Sequence, residues 1–80
     1  MTDLSKRHPG TQQIIRWFAF GHLPPGRPQD VSARCAELAD DIIDDLPDGP
    51  ELTTGLRKLL EAKDAFVRAA IEAGERAEHA

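Results

Sequence analysis

The fold is decided by the stretch of residues 28–46, which reads PQDVSARCAELADDIIDDL. Its apolar residues follow one another at steps of four, three and one, which is the spacing of one face of an α-helix and not the alternation of a strand. They are Val31, Cys35, Leu38, Ala39, Ile42, Ile43 and Leu46. Pro28 suits the first turn, because the N–H that proline lacks would have no intrahelical partner there. The stretch therefore predicts an amphipathic helix over about residues 28–46.

The residues that follow predict a tight turn and a second, longer helix. In the connector 47–51, which reads PDGPE, Asp48 can accept from the next backbone N–H groups and Glu51 lies three residues on, as in a capping box. So short a connector forces the two helices antiparallel. The second helix is predicted over about residues 50–78, with an apolar band wider than one partner helix covers. Its main members are Leu52, Leu56, Leu59, Leu60, Phe66, Val67, Ala70, Ile71 and Ala73.

The N-terminal part divides into three pieces. Residues 1–8 are polar, and we expect them to be flexible, so that residues 9–80 form the single domain. A short helix is predicted over about residues 11–20, and the stretch 21–27, GHLPPGR, is non-helical because of its adjacent prolines. Since the second long helix overhangs its partner, we expect Trp17 of the short helix to cover the overhang.

These elements predict an all-α fold: an antiparallel helical hairpin of two long helices with a short N-terminal helix. A chain of 80 residues buries little apolar surface. Its only cysteine, Cys35, excludes a disulfide within the chain. We therefore expect the surplus apolar band to be covered by assembly into a homo-oligomer.

Charge and composition exclude several functional classes. The net charge is −4, and residues 1–27 carry a balance of +3 while the remainder carries −7. So acidic a remainder argues against a DNA partner but leaves room for a small anion. One cysteine and three scattered histidines give no zinc-ligand spacing. No nucleophile constellation or glycine-rich phosphate loop is evident, so we predict no catalytic residue, no metal and no cofactor. The lack of a signal peptide and of a long apolar run predicts a cytoplasmic protein that makes no membrane contact.

Two charged features interrupt the helical pattern. Lys63 lies among the apolar positions of the second helix, where its ammonium must reach the rim, pair with a carboxylate or meet a bound anion. The first long helix carries an acidic run, in which helical spacing brings together Glu37, Asp41, Asp44 and Asp45. Such carboxylates can hold Mg²⁺, although a solvated helix face is the more common use of a charge run.

The aromatic segment before the first long helix is a candidate ligand contact. Phe20 and His22 adjoin the rigid Pro24-Pro25 turn, and aromatic faces stack on nucleobases.

Three stretches of the chain resemble a family of small bacteriophage proteins. They are FGHLP at 20–24, LPDGPELT at 46–53, and LRKLLEAKD at 56–64 with VRAA at 67–70. They resemble the helical-hairpin family that includes the phage anti-CBASS and anti-Thoeris sponges. The resemblance implies a hexamer of hairpins in the cytoplasm of an infected bacterial cell. It would sequester cyclic di- or trinucleotides, or cyclic ADP-ribose-type messengers, without cleaving them, and so counter anti-phage immune signalling.

The resemblance also implies positions for the ligand contacts. Phe20 or His22 corresponds to the aromatic residue that stacks on the base, and Arg34 to the cation that meets phosphate from the first long helix. The family has a separate pocket for cyclic trinucleotides on the second helix. The comparable positions here are Thr53, Thr54, Arg57 and Lys58. Lys63 completes the set of predicted ligand-binding residues.

Two other functions stay open at this point. The hairpin is also suited to a protein-interaction module of a phage, docking on another protein. The acidic run suits, less well, a Mg²⁺-dependent all-α nucleotide pyrophosphohydrolase, because such sites need a second acidic cluster facing the first.

Overall fold

A computed structural model describes residues 4–79, with side chains as far as Arg76. Helix α1 spans Pro9–Ile15 and continues into a 3₁₀ turn, Arg16–Phe18. Helix α2 spans Arg27–Asp45, and helix α3 spans Pro50–His79. All regular structure in this part of the chain is helical, which confirms the all-α fold with two long helices and a short N-terminal one. None of the described helices is long and apolar enough to cross a membrane.

The short helix begins and ends two residues earlier than the sequence predicts. It begins at Pro9 because the His8 side chain caps it, with Nδ1 accepting from the Gly10 N–H at 2.9 Å. It ends at Phe18, since Ala19 has an extended backbone with ψ of 139°.

The core lies between α2 and α3 and is closed on one side by α1. Its buried apolar residues are Ile14, Phe18, Cys35, Ala39, Ile43, Leu52 and Leu56. The expectation that Trp17 covers the overhang of α3 is wrong. Phe18 is 2% exposed and packs in the core, whereas Trp17 is 59% exposed and carries the Arg16 guanidinium 4.9 Å from its ring centroid. Phe18 lies on the helix face of Thr11 and Ile14, and Trp17 does not.

The N-terminal segment packs against the interhelical connector. Leu4 is partly buried against the core. The Arg7 guanidinium donates to the Ile43 carbonyl at 3.0 Å and to the Leu46 carbonyl at 2.8 Å, so it caps the C-terminal end of α2. Of the segment that we predict to be flexible, residues 4–8 therefore lie against the hairpin, and residues 1–3 lie outside the described residues.

Asp48 joins this segment to the start of α3. Its carboxylate accepts from the His8 N–H at 2.9 Å, from Thr11 Oγ1 at 2.9 Å and from Arg7 Nε at 3.1 Å. The His8 N–H bond, together with those from Thr11 and Arg7, lowers the pKa of the Asp48 carboxyl below its usual value. The sequence predicts that Asp48 caps α3, but in the described part of the chain its hydrogen bonds go to the N-terminal segment.

Candidate ligand-binding site

The second-helix residues of the predicted site lie together in one depression on α3. Thr53 and Arg57 are four residues apart, as are Thr54 and Lys58, so helical geometry places both pairs on adjoining parts of one face. With Glu61 they line a shallow depression of about 140 Å³. The depression is polar, because hydroxyl, guanidinium and ammonium groups converge there.

A larger cavity continues from this depression toward α1. It measures about 570 Å³ and shares Thr53 and Arg57 with the depression. Its remaining lining comes from the N-terminal segment and the interhelical connector. Those residues are His8, Gly10, Thr11, Gln13, Ile14, Asp48, Gly49 and Pro50. This volume falls within the range of about 300–1,000 Å³ typical of small-molecule sites.

The cavity exists because α1 and α3 approach each other closely at their first turns. A Cβ added at Gly10 would lie 3.7 Å from Thr53 Cγ2, so the two helices are within van der Waals contact there. The hydrogen bonds of Asp48 hold the two helices in this position. The wall formed by His8 and Gln13 therefore depends on Asp48, in the connector, although Asp48 lies about forty residues away in sequence.

The electrostatics of this site favour an anion. Neither Arg57 nor Lys58 forms an ion pair with any residue that the structure describes, and both are exposed. The Thr53 hydroxyl donates to the Pro50 carbonyl at 3.0 Å, which leaves its lone pairs to accept. Arginine presents planar, bidentate donors that match phosphate oxygens. Glu61 is the acidic side chain at the rim of the depression.

Lys63 lies one turn beyond the depression and contacts the short helix. Its ammonium donates to the Trp17 carbonyl at 3.2 Å and lies 3.0 Å from Asp64 Oδ1. Its side chain is only 13% exposed. The lysine is accommodated in the apolar seam because its ammonium sits at the C-terminal end of the 3₁₀ turn, where a cation stabilises unpaired carbonyls.

The first-helix part of the predicted site is dispersed within one chain. Arg34 is exposed on α2 and lines a groove of about 500 Å³ that contains neither Phe20 nor His22. Phe20 and His22 are exposed in the connector between the 3₁₀ turn and α2, where the Phe20 carbonyl accepts from the Leu23 N–H at 3.0 Å. Within the described residues of one chain, Arg34 therefore shares no groove with Phe20 or His22.

The acidic run on α2 forms no candidate metal centre. Within the described residues, no group of three or more His, Cys, Asp or Glu side chains is arranged to hold a metal ion. The exposed carboxylates of Glu37, Asp41, Asp44 and Asp45 therefore lie along a helix face that is open to solvent.

Sequence reasoning missed the N-terminal wall of the cavity, which His8, Thr11 and Gln13 provide. One signal for it is present in the sequence. Thr11, Ile14 and Phe18 follow steps of three and four, so the polar Thr11 shares the buried face of the short helix. Thr11 is fully buried and bonded to Asp48.

Comparison with known proteins does not assign the chain to a family. No protein-family model, curated protein or solved structure matches it.

Proposed function

We propose that this chain is a non-catalytic phage protein that sequesters cyclic nucleotide immune messengers as a homo-oligomer, a hexamer in the manner of the family it resembles. It would act in the cytoplasm of the infected bacterial cell. The observation that carries the proposal is the grouping of Thr53, Thr54, Arg57 and Lys58 in one polar depression that opens into a cavity of about 570 Å³.

The chemistry of this surface suits a phosphate beside a flat apolar group. Arg57 and Lys58 supply two cations that pair with no carboxylate of the described residues, and Thr54 and Thr53 supply hydroxyls. Together these groups can satisfy phosphate oxygens. The adjoining cavity places Ile14 and Pro50 beside the polar edges of Gln13 and His8. A nucleobase fits such a lining, since its faces are apolar and its edges form hydrogen bonds.

Sequestration asks less of the site than catalysis does. The hydroxyls and cations of the depression can bind an anion without a nucleophile being activated beside them. A messenger held in this way stays intact and is removed from signalling in proportion to the number of sites. Assembly of several chains multiplies those sites and brings together copies of Arg34, Phe20 and His22 that are separate within one chain.

A second candidate, the protein-interaction module, is favoured by one observation. Large apolar side chains are exposed on the hairpin face away from α1, including Leu38, Leu46 and Phe66. A phage or host protein docked there would cover them. Stable capture of that protein, with no messenger bound, would favour this function over sequestration.

The proposal is tested by a thermal-shift screen of the purified chain against cyclic dinucleotides, cyclic trinucleotides and cyclic ADP-ribose isomers. A ligand at 100 times its Kd adds about 2.7 kcal/mol of stability. For a domain of this size each kcal/mol raises Tm by about 4–8 °C. We expect a shift with at least one messenger.

The matched variants are Arg57→Ala and Arg68→Ala. Both arginines are exposed on α3, but Arg68 lines neither the depression nor the cavity. We expect Arg57→Ala to weaken binding about tenfold or more, since it removes a charge-assisted hydrogen bond. Arg68→Ala should bind as the unmodified chain does. Equal affinities for all three proteins would exclude this depression as the site.

A further inference from the structure

The hairpin face opposite α1 carries a continuous apolar groove between α2 and α3. It consists of two parts, of about 650 and 500 Å³, which share Leu38 and Leu59 as lining residues. Along α3 it runs from Leu52 to Ala73, about 30 Å at 1.5 Å per residue. Phe66 is 55% exposed and Leu38 is 47% exposed beside it. We name this surface the hairpin groove.

The two ends of the hairpin groove carry opposite charge. Arg27 and Arg34 line one end, and Glu51 lines the other. The acidic end also contains Asp48, whose carboxylate is already paired with Arg7. A second copy laid on the groove in the same direction would bring like charges together, whereas a copy in the opposite direction brings each basic end onto an acidic end.

Gly55 leaves one position of the acidic half of the hairpin groove without a side chain. It lies in the interior of α3, where glycine destabilises a helix relative to alanine. Among the described residues, a Cβ added at Gly55 would meet nothing within 4 Å. The groove is therefore open at this position to a bulky side chain of a neighbour.

We infer that the hairpin groove is the contact between two antiparallel copies of this chain, related by a two-fold axis near Leu38 and Leu59. Phe66 lies seven residues after Leu59, about 10 Å along the helix axis. Under the two-fold, this side chain lands on the partner between positions 52 and 55, over the surface that Gly55 leaves open. Each copy therefore inserts one Phe66 into the partner's groove and receives another.

The same register aligns the charges. Glu51 lies eight residues before Leu59, about 12 Å along the axis. On α2, Arg34 lies about 6 Å and Arg27 about 16 Å from Leu38 in the basic direction. Along the helix axis, the partner's Glu51 therefore falls between the levels of the two arginines. This contact rests on the proposed function in one respect, since that function includes a homo-oligomer. The contact itself requires no bound messenger.

The test is the mass of the full chain in solution, measured by sedimentation equilibrium without ligand. The monomer mass is 8.8 kDa, and we expect twice this value or a larger even multiple at micromolar concentration. A protein that stays strictly monomeric at about 100 micromolar would overturn the inference. Messenger binding by such a monomer, seen in the thermal-shift screen, would leave sequestration standing but would remove the homo-oligomer from the proposed function together with the contact.

Two matched glycine variants separate packing between copies from helix propensity. Gly55→Gln and Gly74→Gln each replace an exposed α3 glycine whose added Cβ meets nothing within 4 Å, but Gly74 lies outside the hairpin groove. Glutamine favours helix over glycine at both positions. We expect Gly55→Gln to weaken self-association about tenfold or more, because it blocks the insertion of Phe66, and Gly74→Gln to leave it unchanged. An unchanged Kd of self-association in Gly55→Gln would overturn the inference.

A charge exchange tests the antiparallel direction. Glu51→Lys alone should weaken self-association about two- to fivefold by placing a lysine against the partner's arginines. Adding Arg27→Glu and Arg34→Glu to the same chain reverses the charge at both ends of the hairpin groove. This triple variant should recover the self-association of the unmodified chain. Continued weakness of this triple variant, with the helical circular dichroism retained, would contradict the antiparallel arrangement.

Discussion

Replacing Lys63 by methionine isolates the role of one ammonium on a largely buried side chain. Methionine keeps the long unbranched stem and removes the charge. The ammonium donates to the Trp17 carbonyl at 3.2 Å, and the side chain is 13% exposed. If Lys63 were only a polar defect in the apolar seam, Lys63→Met would stabilise the protein. Because it caps the 3₁₀ turn Arg16–Phe18, we expect the opposite.

The magnitude follows from two opposing effects. A hydrogen bond from a charged donor contributes about 1.5–3 kcal/mol net. Part of this is recovered because methionine carries no ammonium that must be desolvated, and because the Trp17 carbonyl is near the surface, where water can replace the lysine. We expect a net loss of about 1 kcal/mol in the free energy of unfolding, which lowers Tm by about 4–8 °C in a domain of this size.

The assay is urea unfolding followed by circular dichroism, with Lys58→Met as the control on the same helix. Lys58 is exposed and should change stability by no more than about 0.5 kcal/mol. Amide exchange adds a local readout, since α1 should lose protection in Lys63→Met more than α3 does. A variant as stable as the unmodified chain, or more stable, would refute the assignment of Lys63 as a cap.

Three further predictions concern the core packing of Phe18, the Asp48 carboxylate and Arg34. Phe18→Ala should cost about 3–5 kcal/mol and Trp17→Ala less than about 1 kcal/mol, by urea unfolding, because only Phe18 is in the core; similar losses would contradict this packing. The pKa of Asp48 is lowered by folding, so its contribution is present at neutral pH and lost as pH falls through its lowered pKa; the fall of Tm below about pH 4 should be shallower in Asp48→Asn than in the unmodified chain. Parallel Tm curves for the two proteins would exclude that role. Arg34→Ala should weaken messenger binding, by isothermal titration, because assembly is proposed to bring copies of Arg34 to the ligand; unchanged affinity would exclude Arg34 as a phosphate contact and leave Arg57 and Lys58.

The two long helices could be predicted from sequence because their evidence is local. The spacing of apolar residues in α2 and the short PDGPE connector each act over a few neighbouring positions. The observed bounds, Arg27–Asp45 and Pro50–His79, differ from the predicted ones by at most one residue at each end. The spacing of apolar residues is therefore sufficient to predict α2 and α3.

The short helix was harder to predict because its cap is unusual and a polar residue lies on its buried face. The imidazole of His8 caps it at Pro9, and Thr11 shares the buried face with Ile14 and Phe18. A histidine cap has no strong sequence signature, since Ser, Thr, Asp and Asn are the common caps.

The candidate site was predicted in part. Thr53, Thr54, Arg57 and Lys58 lie together because helical spacing alone brings them to one face. The cavity wall formed by His8 and Gln13 depends on the hydrogen bonds of Asp48 with the N-terminal segment, which are long-range in sequence. Periodicity contains no information on such contacts, so this wall was not foreseen.

Sequestration is tested most directly by recovering the messenger from its complex. The chain would be mixed with slightly less than one equivalent of the messenger that gives the largest thermal shift, incubated with Mg²⁺ for hours, and filtered to measure free ligand. Heating would then release the bound fraction for chromatography. We predict that almost no free messenger remains before heating and that the released messenger is chemically intact. Free messenger throughout, or a released product of altered mass, would contradict sequestration.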